Sequence, residues 1–277
     1  MKLAFSTLGC PEWDFDEILA TALRLGYEGV EFRGLLTHIE LDQAPEFSAA
    51  GIADTRQRLR DAGVQATCLS SSVQILNAVT EESARLQAIA TAERYIEMAQ
   101  QVEAPFVRLF GGNPPDPLPY DEAEARAAEL LRALGDFAAD RQVTLVVETH
   151  DYLIDSARLA HLIHATDHQA VGVLWDIHHP YRIAGESLQT TMDNLRGLVR
   201  YTHIKDSRQG AEPEQYTYVA LGLGDVPIKE SLAMLRDEGY DGFLTLEWEK
   251  RWIPDLLPPE IVFDHYAEQM RDWLGEL

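Results

Sequence analysis

Eight short runs rich in apolar and β-branched residues alternate with longer amphipathic stretches, and this repetition restricts the fold more than any other feature of the sequence. The strand candidates are KLAFS (2–6), GVEFR (29–33), VQATCL (64–69), FVRLF (106–110), VTLVVE (143–148), VGVLWD (171–176), RYTHIK (200–205) and FLTLEW (243–248). Between them, apolar residues recur three and four positions apart. In DFDEILATALRLG, Ile18, Leu19, Ala22 and Leu25 share one side, acidic residues open the segment and Gly26 closes it, as the chemistry of helix ends requires. Residues 81–102, 121–140 and 259–274 read the same way. Eight strand–helix units predict an α/β protein, a (β/α)8 TIM barrel formed as a single domain over residues 1–277. The competitor is an open doubly wound sheet. That fold usually carries a glycine-rich phosphate fingerprint after its first strand, and STLGCPEW has none. GLGD (222–225) reads as a turn.

A parallel barrel brings the C-terminal ends of its strands to one mouth, where function resides. Four residues of ligand type fall there on successive strands: Glu148 in VVETH, Asp176 in LWDIHHP, His203 in YTHIKD and Glu247 in LTLEWEK. Any one of these could cap a helix or take a structural hydrogen bond. All four at consecutive strand ends point instead to one shared site. Three carboxylates and an imidazole make a hard, mostly oxygen donor set that suits one divalent metal ion, Mn²⁺, Mg²⁺, Co²⁺ or Zn²⁺. Such an ion would polarise a carbonyl as a Lewis acid, and a flanking carboxylate could then remove the proton from the neighbouring carbon.

Charge narrows the partners. The chain has 46 acidic and 23 basic residues, a net charge of −23, and a surface of that sign repels phosphate backbones and anionic membranes. Nucleic acid and membrane partners are therefore not expected, although a local pocket could still take an anion and a phosphorylated substrate stays open. Cys10 and Cys68 form no CxxC pair and read as apolar fillers. Neither a secretory leader nor an apolar run of about 18 residues is visible, so a cytoplasmic location is expected.

The segments LGYEGVEFR, VVETH, WDIHHP, THIKD and GDVPIKESLAMLRDEGYDGFLTLEWE together resemble the xylose isomerase-like TIM-barrel superfamily of sugar phosphate isomerases and epimerases, over nearly the whole chain. The resemblance implies that Glu148, Asp176, His203 and Glu247 bind one divalent metal. It also implies that Glu148 and Glu247 form a catalytic acid/base pair on opposite faces of a small carbohydrate substrate, working through a metal-held cis-enediolate. His179 stands where epimerase relatives carry a substrate-binding histidine. Arg208 resembles a substrate-holding arginine but sits one residue early. His150 and Trp13 are further substrate-binding candidates, and Trp175, Trp248 and Trp252 are candidates for a pocket wall. Glu31 could line the mouth as a non-ligand. Lys205 and Asp206 belong to a HIKD motif that could shape the mouth or form an ion pair. Relatives often assemble as dimers or tetramers, so a homo-oligomer is compatible with the resemblance.

Ketose 3-epimerases of the superfamily carry a second substrate-contacting glutamate six residues after the first metal glutamate; here that position is Ile154. This departure does not fit a standard ketohexose 3-epimerase. A second activity on the same scaffold is a lyase resembling inosose dehydratase, in which the same proton abstraction expels a β-hydroxyl. A nuclease of the AP-endonuclease kind would need further histidine and glutamate ligands on the early strands, which offer only Glu31. A noncatalytic sugar binder would have no use for two glutamates in acid/base positions. The segment WEKRWIPDLLPPE after Glu247 is longer than a barrel loop needs and reads as a lid or a dimer contact.

Overall fold

The computed structural model describes residues 1–114, 116, 118–212 and 215–277. Ten strands occur among them: β1 (Lys2–Ser6), β2 (Gly29–Phe32), β3 (Gln65–Gln74), β4 (Phe106–Phe110), β5 (Thr144–Glu148), β6 (Val171–Asp176), β7 (Val199–Ile204), β8 (Asp206–Gln209), β9 (Tyr216–Val219) and β10 (Phe243–Leu246). Eight of them close into a parallel barrel in the order β1-β10-β7-β6-β5-β4-β3-β2. The remaining two, β8 and β9, form an antiparallel hairpin that follows β7 directly. The expected (β/α)8 barrel is therefore the fold, with one hairpin that the alternation of strand and helix did not announce.

Local chemistry explains the helix limits. Asp14 accepts from the Glu17 amide at 2.9 Å to start the helix Phe15–Leu25, and Gly26, at φ 64°, ends it in the left-handed conformation that glycine adopts without strain. Asp155 caps Ser156–Thr166 in the same way through Ala157 and Arg158. The helices Glu82–Val102, Tyr120–Ala139 and Pro259–Glu276 lie within a residue or two of the stretches read from periodicity.

Two cores result. The larger one fills the space between barrel and helices. The smaller one, Ala4, Cys68, Val146, Leu174, Tyr201 and Phe243 with Phe106 packed on it, is a separate cluster inside the barrel. Side chains alternate across a strand, so two residues further along the same strands come Ser6, Ser70, Arg108, Glu148, Asp176 and His203, all buried. An apolar plug thus forms the floor of the barrel, and the next layer up is polar and charged. No helix among the described residues is long and apolar enough to cross a membrane.

Candidate active site

Glu148, Asp176 and His203 lie at or near the C-terminal ends of β5, β6 and β7, and Glu247 follows β10 by one residue. β5–β6, β6–β7 and β7–β10 are hydrogen-bonded neighbours, so four residues spread over a hundred positions of sequence share one face of the mouth. Each offers a ligand atom within 4.8 Å of the others, and all four are buried. The His203 imidazole is central: its Nδ1 stands 3.1 Å from Glu148 Oε1 and 3.2 Å from Glu247 Oε1. Its Nε2 stands 2.7 Å from Oε2 of Glu31, and the Ser6 hydroxyl donates to the other oxygen of Glu31 at 3.0 Å. A carboxylate on the far nitrogen of a ligating imidazole fixes ring orientation and raises basicity. Glu31 is placed to do this, reaching across 172 residues of sequence.

Lys205 completes the cluster. It lies two residues beyond His203, on the same side of the chain, and its side chain is fully buried. Its ammonium donates to Asp176 at 2.5 Å and also to Glu247, and it stands 3.1 Å from Glu249. Lys205 and Asp206 are not an ion pair with each other. Asp206 turns away and accepts four backbone amides, from Ser207, Gly222, Gly224 and Val226, at 2.8 to 3.3 Å. That carboxylate pins the turn at 220–226, where Gly222 takes φ 80°, to the base of the β8–β9 hairpin.

Electrostatics follow from burial and charge. Burial and Glu247 push the Glu148 carboxyl up, but His203 and Arg108 outweigh them and hold it below the usual range. Burial raises the Asp176 carboxyl to about 6, against the pull of Lys205. Burial opposes charge on His203, yet Glu247, Glu31 and Glu148 together drive its pKa well above the ordinary histidine value. The cations therefore stabilise the charged forms of Glu148 and Glu247, whereas burial and the neighbouring carboxylates leave Asp176 easier to protonate than an ordinary aspartate.

The donor set fits a divalent cation. Three buried carboxylates converge with an imidazole whose other nitrogen is already engaged, and Glu148 Oε2 has no hydrogen-bond partner. Carboxylate and imidazole oxygens and nitrogens suit Mg²⁺, Mn²⁺ or Zn²⁺, and the cluster could hold one such ion.

The other candidates divide. His179 is buried beside the cluster, with Nδ1 3.3 Å from Asp176 Oδ2 and 3.2 Å from the Thr149 carbonyl. His150 sits at the rim, its ring 4.9 Å from that of His179 and 4.7 Å from that of Phe110. His178 packs behind, hydrogen-bonded to Ser207 and against Tyr216 and Tyr218. Arg208 is exposed and donates to the Leu223 carbonyl at 2.6 Å, so β8 carries it away from the cluster. Trp13 packs edge-on against Phe263 with its Nε1 toward Glu260, among residues of the C-terminal helix, and is not brought to the cluster. Trp175 and Trp248 are buried in the outer core and Trp252 is exposed. The arginine that borders the cluster is Arg108. Its signal was the period of two in FVRLF, which puts Arg108 on the inward face with Phe106.

The sequence matches the xylose isomerase-like TIM barrel family over residues 19–274. The chain belongs to that family. Among relatives, it is 23% identical over 255 residues to fructoselysine 3-epimerase of Shigella flexneri, covering 89% of this chain and 90% of the other. Among solved structures, the IOLI protein with a bound zinc atom superposes with a TM-score of 0.83 at 16% identity, covering 100% of this chain and 99% of that one. The probable 3-DHS dehydratase AsbF of Bacillus anthracis gives 0.78 at 19% identity, covering 98% and 99%. At these identities the two structures establish the likeness of fold.

Proposed function

We propose that this chain is an isomerase or epimerase of a small keto-sugar or related polyol ketone, with Glu148 and Glu247 as the acid/base pair. The observation that carries the reading is the pair of glutamates within 3.1 and 3.2 Å of the same nitrogen of His203, in one buried group with Asp176. Its relative the fructoselysine 3-epimerase supports the same class of chemistry. A divalent cation held by Glu148, Asp176, His203 and Glu247 would supply a Lewis acid that draws electron density from the substrate carbonyl.

One glutamate takes the proton from the carbon next to the carbonyl, and the other returns a proton at the opposite face. The base must be ionised and its counterpart protonated when the step occurs. His203, together with Arg108 for Glu148 and Lys205 for Glu247, favours the ionised form of both carboxyls against burial, so the proton that the second glutamate returns must reach it during turnover. Lys205, against Asp176 and Glu247, keeps those carboxylates fixed while a proton moves. His179 and His150 line the approach and offer ring nitrogens to substrate hydroxyls. The burial of the cluster excludes bulk water and so strengthens each of these interactions.

Glu148→Gln and Glu247→Gln test the proposal. Each keeps the shape and removes the base, so turnover of a responsive ketose falls by about 10²–10⁴-fold with the circular dichroism spectrum unchanged. Near wild-type turnover in either variant sinks the two-base mechanism. Ile154 stands where ketose 3-epimerases carry their second glutamate, so it does not fit a standard ketohexose 3-epimerase, and loss of water on the same scaffold is the competing outcome. A new conjugated-carbonyl absorbance, in place of an isomer, identifies that outcome.

A further inference from the structure

Arg108 is 1% exposed in the charged layer of the barrel, yet its Nε and Nη1 have no hydrogen-bond partner. Nε lies 3.5 Å from Glu148 Oε2, inside ion-pair range but without a hydrogen bond. The guanidinium lies over the Phe110 ring, 3.6 Å from its centroid, which fixes its plane and leaves two buried donor nitrogens unsatisfied. Arg33, two residues after Glu31, is also buried. It donates to Ser72 at 3.0 Å and to the Ile39 carbonyl at 3.3 Å, and makes no ion pair among the described residues. Burial and the charge of Arg108 pull the Arg33 guanidinium down to about 10, so the two cations feel each other.

Two buried like charges, neither hydrogen-bonded to a carboxylate, are unfavourable in a chain with 46 acidic residues. The other charged groups of the mouth are matched: Glu31 by His203 and Ser6, Glu249 by Lys205. Guanidinium forks are the side chains best suited to bind carboxylate or phosphate with two parallel bonds. We infer that the substrate of this site is an acidic carbohydrate, whose carboxylate or phosphate group is held by Arg108 and Arg33 on the β2–β4 side while its ketone end faces Glu148 and Glu247. This rests on the reading of the acidic cluster as the reaction centre and adds the substrate's charge to it.

The experiment is a ligand-observed NMR titration of wild type, Arg108→Met and Arg33→Met, both with Mg²⁺ and in EDTA. The probes are hydroxypyruvate, inorganic phosphate and the neutral dihydroxyacetone. The anions bind wild type more tightly than dihydroxyacetone does, in EDTA as well as with Mg²⁺. Each methionine variant weakens the favoured anion by about tenfold or more, and Arg33→Met leaves dihydroxyacetone unchanged, because Arg33 makes no ion pair with the acidic cluster. A preference for hydroxypyruvate assigns a carboxylate, and a preference for phosphate assigns a phosphoester. Anion affinity equal to wild type in both variants overturns the inference. So does an equal loss for dihydroxyacetone, which would make Arg108 a partner of Glu148 alone. If Arg108→Met does not fold, Arg108→Lys takes its place, because a lysine keeps the charge but loses the two-pronged fit. A panel of neutral ketoses separates the two ideas. No isomer from any ketose, with arginine-dependent anion binding intact, refutes the epimerase reading only; turnover of neutral ketoses with no anion preference refutes this inference only.

Discussion

Lys205→Met is the substitution whose outcome follows most directly from the geometry. The lysine ammonium is shared by Asp176, Glu247 and Glu249, of which the first two are almost fully buried and the third has a side chain 18% exposed. Removing the cation leaves three carboxylates facing one another, and breaking a buried pair in this way costs about 3–5 kcal/mol. Unfolding entropy of roughly 2.1 cal/mol/K per residue over 277 residues gives about 0.6 kcal/mol per kelvin. The melting temperature in EDTA therefore falls by about 5–9 °C. A bound divalent cation offsets the charge of Asp176 and Glu247, which leaves only the partly exposed Glu249 uncompensated. With saturating Mn²⁺ the loss shrinks to about 2 °C or less, and the stabilisation gained on adding metal is larger in the variant than in wild type. Calorimetry of both proteins, at one protein concentration with EDTA and with Mn²⁺, measures all four melting points. An equal loss in the two conditions would show that Lys205 and the ion do not act on the same carboxylates, and the reasoning would fail.

Other outcomes test the surroundings of the cluster. Glu31→Gln keeps the side chain's size but weakens its hold on His203 Nε2; divalent-metal affinity, read by competition with a chelator, falls about 10–100-fold. His203→Ala lowers it further, and unchanged affinity would remove His203 from the coordination shell. Asp206→Ala frees the turn at 220–226 from its four amide donors and lowers stability by about 2–4 kcal/mol in urea unfolding. A loss within 0.5 kcal/mol would show that the turn holds itself.

The barrel was legible because each strand carries its own pattern and each helix its own stops, such as Asp14 and Gly26. The four metal-type residues were legible for a related reason: placement at a strand end is a local property, and barrel topology converts it into proximity. Relations that depend on two distant side chains were not. Nothing near Glu31 indicates that it will meet His203, and nothing in HIKD says that Lys205 turns inward to three carboxylates while Asp206 turns outward to four amides. Arg208 and Trp13 failed to reach the cluster for the same reason: β8 runs on into a hairpin, and Trp13 finds Phe263 across the chain's two ends. Arg108 lay within reach of the sequence, since counting by twos from Phe106 puts it inside the barrel, but an arginine in an apolar run reads first as a surface residue.

The order of the strands around the barrel has a consequence for inheritance. Every side chain proposed to move a proton or hold an ion derives from a single contiguous portion of the gene, beyond residue 144, whereas both guanidinia come from the portion before it. Changes at Arg33 in the early half would retune which molecule is admitted and leave the reaction itself alone, whereas changes at Glu31 or Arg108 would reach the chemistry as well, through His203 and Glu148.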